Sequence, residues 1–343
     1  MHRLPAPSHR SRDPLPRPVT VPRLLTVALL LALSALSPGL APAPAHAASG
    51  TREVTDFGPN PGNLRMFRHV PDGLPAGRPL VVALHGCGKT AGDFDDEPGW
   101  TEMADKYGFA LLLPEQKAAN NALSCFNWFE PGDTTRGRGE ARSIKQMVDR
   151  ITKDQGSDPS RVYVTGLSAG SAMTAVMAAT YPDVFAGAAM VAGAPYGCAR
   201  NIIEAVGCAT PGKDLTPRQW GDKVRAAHPG HGGRWPTVSV WHGTEDTAVA
   251  PMNMTEVVEQ WTDVHGTDTT PEVSDQVQGY PHKVYRDRTG QDVVESYSIT
   301  GMGHGQPVDP GTGEAQCGVA ADSLPDENIC AAYRISRSWG LNK

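Results

Sequence analysis

The sequence predicts an α/β fold in a single domain: a mostly parallel β-sheet with helices on both faces. Continuous apolar runs of strand length recur along the chain, and segments with apolar residues at helical spacing separate them. Strands that are apolar throughout are typical of parallel sheets, because helices cover both faces of such a sheet. No linker, repeat or low-complexity run divides residues 48–343, which indicates one domain.

Six segments are predicted as strands because each is a short apolar run bounded by glycine, proline or polar residues. In chain order they are residues 79–86 (PLVVALHG), 109–116 (FALLLPEQ), 160–166 (SRVYVTG), 185–195 (FAGAAMVAGAP), 237–246 (TVSVWHGTED) and 293–304 (VVESYSITGMGH). In such a fold, functional side chains are expected where the strands end, at the carboxyl edge of the sheet.

The helical segments are identified by their apolar spacing and by glycine at their ends. Residues 99–108 predict a short helix closed by Gly108, and residues 140–156 predict a longer one closed by Gly156. Residues 169–182 follow the third strand directly and are rich in alanine and methionine.

Residues 196–235 interrupt this alternation. They are rich in proline and glycine and contain one modest helix near residues 216–227. We expect an insertion over one end of the sheet, which either contributes to a substrate cleft or forms a plain surface excursion.

The first 47 residues have the features of a secretory signal. A basic start precedes the apolar run at residues 24–37, and Ala45 and Ala47 occupy the small positions before a cleavage site. We expect cleavage after Ala47, leaving a mature extracellular domain of residues 48–343. A membrane anchor is the competing interpretation, but the apolar run is shorter than the ~20 residues that span a bilayer.

The charge of the chain argues against some partners. The whole sequence has a net charge of −6; without the five arginines and one aspartate of residues 1–47, 26 basic and 36 acidic residues remain, a net charge of −10. A mildly acidic protein is a poor partner for nucleic acid or an anionic membrane surface. Oligomeric state is left open by the sequence.

All six cysteines lie after the signal segment, and an even number in a secreted chain predicts three disulfides. Fifteen pairings are possible, of which we prefer Cys87–Cys125, Cys198–Cys208 and Cys317–Cys330. Zinc binding is the alternative, but no C-x-x-C or H-x-x-x-H spacing supports it, so neither a metal nor another cofactor is expected.

The sequence VYVTGLSAGSAM places Ser168 between a predicted strand and a predicted helix, with Gly166 and Gly170 on either side. This Gly-x-Ser-x-Gly context predicts a nucleophile elbow, a sharp turn that presents a serine hydroxyl at the carboxyl edge of a sheet. By chance alone the motif also occurs in ordinary turns, and a serine without a base is unreactive.

A base and an orienting acid are therefore required. His304 follows the last predicted strand and is surrounded by glycines, which suit a tight loop that directs an imidazole. Asp246 follows another strand, with Glu245 as its rival for the acid. The order Ser168, Asp246, His304 is the chain order of α/β-hydrolases, so we predict that fold with a Ser-His-Asp triad. Backbone N–H groups of Cys87 and Ala169 are the predicted oxyanion donors.

These segments carry a resemblance. LVVALHGCGK, SCFNWF, SDPSRVYVTGLSAGSAM, WHGTEDTAV and GMGHGQPVDP resemble the secreted polyhydroxybutyrate depolymerase-like esterases, which are related to feruloyl and acetylxylan esterases. The resemblance extends over nearly the whole mature chain and implies metal-independent ester hydrolysis by Ser168, Asp246 and His304. The sequence departs from the family pattern at Lys89, where the family usually has glutamine.

The resemblance implies a polyester, oligoester or plant cell-wall ester as substrate. Extracellular depolymerases often carry a linker and a polymer-binding domain, and neither follows the catalytic segments in this sequence. Trp128 either contributes a flat apolar surface to the substrate cleft or packs in the core. A secreted binding protein on an inactive hydrolase scaffold is a remote alternative, which the complete triad disfavours.

Overall fold

The computed structural model describes residues 50–343, so the expected signal segment lies outside the described residues. The described strands are β1 (Arg52–Glu53), β2 (Arg65–His69), β3 (Leu80–Leu84), β4 (Ala110–Glu115), β5 (Val162–Leu167), β6 (Gly187–Val191), β7 (Thr237–Gly243), β8 (Val273–Val277), β9 (Tyr280–Arg286) and β10 (Asp292–Ile299). The described helices are α1 (Trp100–Tyr107), α2 (Pro131–Thr134), α3 (Gly139–Gln155), α4 (Ala169–Thr180), α5 (Ile202–Ala209), α6 (Pro217–Ala227), α7 (Met252–His265) and α8 (Ala331–Ser338).

All ten described strands join one sheet in the order β1-β2-β4-β3-β5-β6-β7-β10-β9-β8. The six central strands, from β4 to β10 in this order, are mutually parallel. Antiparallel pairs complete both edges of the sheet. The six strands predicted from the sequence are these parallel strands, so the predicted fold class is confirmed.

Side chains of the central strands alternate between two cores, one on each face of the sheet. In β3, Leu80, Val82 and Leu84 belong to the core that packs against α3, α4, α6 and α7, whereas Val81 and Ala83 belong to the core that packs against α1 and α8. This arrangement explains the continuous apolar runs, because a strand covered on both faces has no solvent-facing position.

Three predicted strands end at least three residues earlier in the structure than predicted from the sequence, and the first of them, β6, ends at Val191. β7 ends at Gly243 and β10 at Ile299, so Asp246 and His304 lie on the loops that follow. The predicted helices keep their positions within two residues, and Gly108 and Gly156 end α1 and α3 in left-handed conformations. The carboxyl edge of the sheet therefore carries the loops of interest.

The edge strands and helices α2, α5 and α8 were not predicted from the sequence. β8 is largely exposed, and β9 alternates between exposed and buried side chains, so neither has the continuous apolar run of a central strand.

The insertion of residues 196–235 contains α5 and α6. Val224 of α6 belongs to the core beneath α4, and the Ala250 N–H donates to the Ala209 carbonyl oxygen at the end of α5. The insertion thus packs against the chain that follows β7, at the carboxyl edge of the sheet. In residues 50–343, no helix is both long and apolar enough to cross a membrane.

Candidate active site

Ser168 lies in the sharp turn between β5 and α4. Its φ is 58° and its ψ is −119°, a conformation that costs a non-glycine residue about 1–3 kcal/mol and persists only where the surroundings impose it. The Ser168 N–H donates to the Val191 carbonyl oxygen at the end of β6, over 3.0 Å. This strand–turn–helix geometry is that of a nucleophile elbow.

The two glycines of the motif are required by close backbone contacts. A Cβ atom on Gly170 would clash with the carbonyl oxygens of Leu84 and His85, and one on Gly166 would clash with the backbone of Gly170. The elbow is therefore packed directly against the end of β3. Glycine at these positions reflects the close approach of three backbone segments.

Asp246 lies in the loop after β7, and its carboxylate is fully buried. Its Oδ1 accepts hydrogen bonds from the N–H groups of Ala248 and Val249, at 2.9 and 2.8 Å. Its Oδ2 lies 2.8 Å from His304 Nδ1 and 3.2 Å from His242 Nε2. Burial alone would raise the pKa of Asp246, but the hydrogen bonds from His242 and His304 outweigh it and hold the pKa well below its usual range.

His304 is placed by a loop that is joined to the end of β7. The N–H groups of Thr244 and Glu245 donate to the carbonyl oxygens of Ile299 and Met302, each over 3.0 Å. Because Nδ1 of His304 donates to Asp246, its Nε2 is left as the acceptor, which is the tautomer that a general base needs. The His304 side chain is 22% exposed, so this nitrogen is open to a substrate.

Ser168, Asp246 and His304 follow β5, β7 and β10, which lie close together in the sheet order. All three therefore lie at one edge of the sheet. Within residues 50–343 the Ser168 hydroxyl makes no hydrogen bond. Catalytic hydrogen bonds are often long before substrate binds and shorten in the Michaelis complex. Glu245, the rival acid, is exposed and takes part in the loop through its backbone.

The loop after β3 passes directly beside the elbow. A Cβ atom on Gly86 would lie 3.6 Å from Ser168 Cβ. The next residue, Cys87, is exposed, and its N–H donates to no other described residue. The N–H of Ala169 opens α4, where the first N–H groups of a helix lack partners within the helix. These are the two groups that the sequence predicts as oxyanion donors.

His85 braces this loop and is not placed to transfer protons. Its Nδ1 donates to the Gly86 carbonyl oxygen at 2.7 Å, and its Nε2 accepts from the Gln116 N–H at 3.0 Å. With both ring nitrogens engaged, the imidazole is held neutral, and burial lowers its pKa. The Lys89 N–H donates to the Gly86 carbonyl oxygen and so forms part of this turn. The Lys89 ammonium group lies 3.5 Å from the Glu97 carboxylate.

The six cysteines form three disulfides, Cys87–Cys125, Cys198–Cys208 and Cys317–Cys330, which are the pairs preferred from the sequence. The first joins the loop after β3 to the segment that contains Trp128. In residues 50–343 no group of three or more histidine, cysteine, aspartate or glutamate side chains is arranged to hold a metal ion.

Beneath the Cys125 segment lies a buried carboxyl group that sequence reasoning missed. Glu140 Oε1 accepts from the Gln116 Nε2 at 2.5 Å and the Asn127 Nδ2 at 2.9 Å, and Oε2 accepts from the Asn127 N–H at 2.9 Å. Burial, with a further contribution from Asp133, raises the pKa of Glu140 to about 8. Gln116 also donates to the Cys125 carbonyl oxygen, so this network supports the bridged loop from below.

Trp128 is half-buried, in edge-to-face contact with Phe129. It packs against both the main core and a smaller cluster that includes Cys198 and Trp220 of the insertion. One part of the indole is therefore packed and another part is open to solvent. His242, which orients Asp246, was the other residue that sequence reasoning missed, because its contact depends on the turn after β7.

Comparison with known proteins identifies the family. A model of the Esterase PHB depolymerase family matches residues 67–274. Poly(3-hydroxyalkanoate) depolymerase C of Paucimonas lemoignei is 56% identical over 289 residues, which cover 84% of this chain and 70% of the relative. Feruloyl esterase B of Thermothelomyces thermophilus is 37% identical over 269 residues, which cover 76% of this chain and 90% of the relative.

A solved structure of an acetyl xylan esterase from Aspergillus awamori superposes with a TM-score of 0.70 at 29% identity, covering 85% of this chain and 99% of that one. The sheet with its serine elbow thus has the same architecture as a known ester hydrolase. This chain belongs to the Esterase PHB depolymerase family, and it is a carboxylic ester hydrolase with an α/β-hydrolase fold.

Proposed function

We propose that this protein is a secreted serine esterase that hydrolyses short-chain polyhydroxyalkanoates, such as poly(3-hydroxybutyrate), through an acyl-enzyme. The observation that carries the substrate class is the identity, over most of the chain, to a poly(3-hydroxyalkanoate) depolymerase. The geometry of Ser168, His304 and Asp246 supports the mechanism.

In the proposed first step, His304 Nε2 takes the proton of the Ser168 hydroxyl as Oγ attacks the ester carbonyl carbon. The N–H groups of Cys87 and Ala169 stabilise the oxyanion of the tetrahedral intermediate, an effect worth about 10²–10³ in rate for each donor. The carbonyl re-forms, the C–O bond to the alcohol breaks, and the alkoxide leaves with the proton from His304. Asp246 stabilises the imidazolium throughout.

In the second step, water attacks the acyl-enzyme while His304 Nε2 takes one of its protons. The second tetrahedral intermediate collapses, the bond to Ser168 breaks, and His304 returns a proton to the serine oxygen. The products are a carboxylic acid and a free enzyme. A hydroxyalkanoate chain is shortened by one ester bond in each cycle.

The open part of Trp128 is our candidate for substrate contact. It lies three residues after Cys125, which is bridged to Cys87 in the loop after β3, here called the oxyanion loop. An indole offers a flat apolar surface to an acyl or alkyl chain. Secretion forms part of the proposal, supported by the three disulfides and the signal-like residues 1–47, with the catalytic domain spanning residues 48–343.

The proposal is tested by a panel of soluble 3-hydroxybutyrate oligomers, methyl ferulate and acetylated xylan, with product release as the readout. We expect the highest kcat/KM on the hydroxybutyrate oligomers. Ser168→Ala should reduce that activity by about 10⁴–10⁶-fold, because the reaction loses its nucleophile. Unchanged far-ultraviolet circular dichroism of this variant establishes that the fold is retained.

Acetylated xylan or methyl ferulate as the best substrate would instead assign the enzyme to the cell-wall esterases. That alternative is favoured by the acetyl xylan esterase whose structure is matched over nearly its full length. Absence of turnover together with absence of fluorophosphonate labelling at Ser168 would identify a non-catalytic binding protein and overturn both assignments.

A further inference from the structure

Most of the strongly exposed apolar side chains lie on two segments next to the candidate active site. Leu123 is 71% exposed, and Ile202, Ile203 and Val206 are 57%, 81% and 64% exposed. Among the described residues, one further large apolar side chain, Val319, is comparably exposed, at 50%. Scattered single apolar residues are ordinary on a protein surface, whereas a group of them marks an interaction site.

Three of these residues form one face of α5. Ile202 and Val206 are four residues apart and Ile203 and Val206 are three apart, so their side chains are neighbours on the helix surface. The opposite face buries Ala205 and Cys208 against the insertion core. This short helix is apolar on both faces. No other segment of residues 50–343 covers its outer face.

The helix is attached to the loop that holds the catalytic acid. The Ala209 carbonyl oxygen accepts from the Ala250 N–H at 2.8 Å, and the Thr210 hydroxyl donates to the Ala248 carbonyl oxygen at 3.2 Å. The N–H of Ala248 in turn donates to the Asp246 carboxylate. The C-terminal end of α5 is therefore two hydrogen-bonded contacts away from Asp246.

Leu123 is attached to the other side of the site. Its carbonyl oxygen accepts from the Gly88 N–H at 2.8 Å, directly after the oxyanion donor Cys87. Gly86 of the same loop lies beside Ser168. Exposed apolar side chains are thus anchored to both the oxyanion loop and the loop of the catalytic acid.

We propose that Leu123, Ile202, Ile203 and Val206, here called the apolar platform, dock the enzyme onto the surface of a solid aliphatic polyester. The inference rests on the proposed function, since a polymer extends far beyond the ester bond that Ser168 attacks. The protein surface around the site must then lie against polymer. Aliphatic polyester carries no charge, so uncharged apolar side chains are the groups that gain free energy there by losing contact with water.

The test compares adsorption with catalysis on soluble ester. The triple variant Leu123→Gln/Ile203→Gln/Val206→Gln replaces apolar side chains by uncharged polar ones, and glutamine is a good helix former. We expect its binding constant for poly(3-hydroxybutyrate) granules to fall by about tenfold or more, because each of the three side chains loses apolar contact area with the polymer. The ratio of film hydrolysis to p-nitrophenyl butyrate hydrolysis should fall by a similar factor.

The matched control is Ile203→Leu/Val206→Leu, which retains apolar surface on the same helix and should adsorb as the unmodified protein does. Equal adsorption by the glutamine variant and the unmodified protein would overturn the inference. A change from dimer to monomer in sedimentation, with adsorption unaltered, would also overturn it and assign the face to a second copy of this chain.

Failure of the platform and failure of the proposed function give different results. An enzyme that does not hydrolyse soluble 3-hydroxybutyrate oligomers contradicts the proposed function, whatever its platform variants do. An enzyme that hydrolyses those oligomers, while its glutamine variant adsorbs normally, contradicts the platform alone.

Discussion

At the residue scale, the Asp246 carboxylate is held by donors on both oxygens. Two backbone N–H groups occupy Oδ1, and the imidazoles of His304 and His242 approach Oδ2. His242 Nε2 also lies 2.9 Å from the Val249 carbonyl oxygen, so its N–H is shared between that oxygen and the carboxylate. We therefore expect His242 to be a positioning residue, which acts on the reaction through Asp246.

Replacing His242 tests this role. His242→Leu should lower kcat/KM about 10- to 100-fold, since a hydrogen bond to a charged group contributes about 1.5–3 kcal/mol. His242→Gln can present an N–H near the position of Nε2 and should recover most of that loss. The carboxylate that has lost a donor interacts more strongly with the His304 imidazolium, so the acid limb of the kcat/KM profile should move to higher pH.

The pH profile separates positioning from simple destabilisation. If His242→Leu only destabilises the fold, its melting temperature should fall, and the acid limb of its kcat/KM profile should stay at the same pH. Equal activities of the leucine and glutamine variants would contradict a role for the N–H donor.

At the element scale, the loop after β3 is fixed from three directions. The elbow backbone packs against the end of β3, His85 is hydrogen-bonded through both ring nitrogens, and Cys87 is bridged to Cys125. Oxyanion donors contribute to catalysis only when they are held in place before the reaction. On the proposed mechanism, we therefore expect the bridge to affect catalysis as well as stability.

Removing this bridge should affect rate and stability together. Cys87→Ser/Cys125→Ser opens a loop with a sequence separation of 38 residues and should lower the free energy of unfolding by about 2–4 kcal/mol. On the proposed mechanism the Cys87 N–H acts in the transition state, so kcat should fall more than KM rises. Steady-state kinetics on a soluble ester and urea unfolding give the two readouts.

The matched control is Cys317→Ser/Cys330→Ser, which removes a bridge with a separation of 13 residues on the chain after His304. It should lower stability with a much smaller effect on kcat. Equal losses of kcat in the two double variants would mean that the Cys87 bridge has no special effect on the oxyanion loop.

At the scale of the whole molecule, the buried Glu140 makes stability depend on pH. In the folded state its pKa is raised to about 8, whereas the ordinary pKa of a glutamate carboxyl is 4.5. Between these two pH values the native protein holds a proton that the unfolded chain has released. The contribution of Glu140 to stability is therefore complete below the unfolded pKa and is lost as pH rises through the folded pKa.

Glu140→Gln should flatten this dependence. Between about pH 5 and pH 8, the free energy of unfolding of the unmodified protein should fall by roughly 2–4 kcal/mol more than that of the variant. Urea unfolding at several pH values measures this difference. Glu130→Gln replaces an exposed carboxylate nearby and should follow the unmodified protein. Parallel curves for Glu140→Gln and the unmodified protein would show that Glu140 ionises normally in the folded state.

The sequence was sufficient to predict the parallel centre of the sheet because burial on both faces requires continuous apolar runs. The edge strands β8 and β9 were not predicted, because half-exposed strands need fewer apolar residues and resemble loops. The serine elbow was predictable because its Gly-x-Ser-x-Gly run stands directly between a strand pattern and a helix pattern. Such signals are local in sequence, so they can be recognised without tertiary structure.

Other parts of the site depend on residues that are distant in the sequence. The contact of Glu140 with Asn127 and Gln116 forms only when α3 packs beneath the Cys125 segment, and nothing in the pattern of α3 marks its first turn as special. The exposed face of α5 has the same apolar composition as a buried helix. Its exposure depends on what the rest of the fold leaves uncovered.

By itself, the sequence determined the α/β class, the order of the central strands along the chain and which side chains follow their carboxyl ends, since these depend on local periodicity and turn chemistry. Only the tertiary structure revealed three features: the contact of His242 with Asp246, the buried carboxyl group of Glu140 beneath the Cys125 segment, and the exposed apolar side chains beside the site. Their environments are set by burial and by contacts between distant segments, which no stretch of sequence encodes alone.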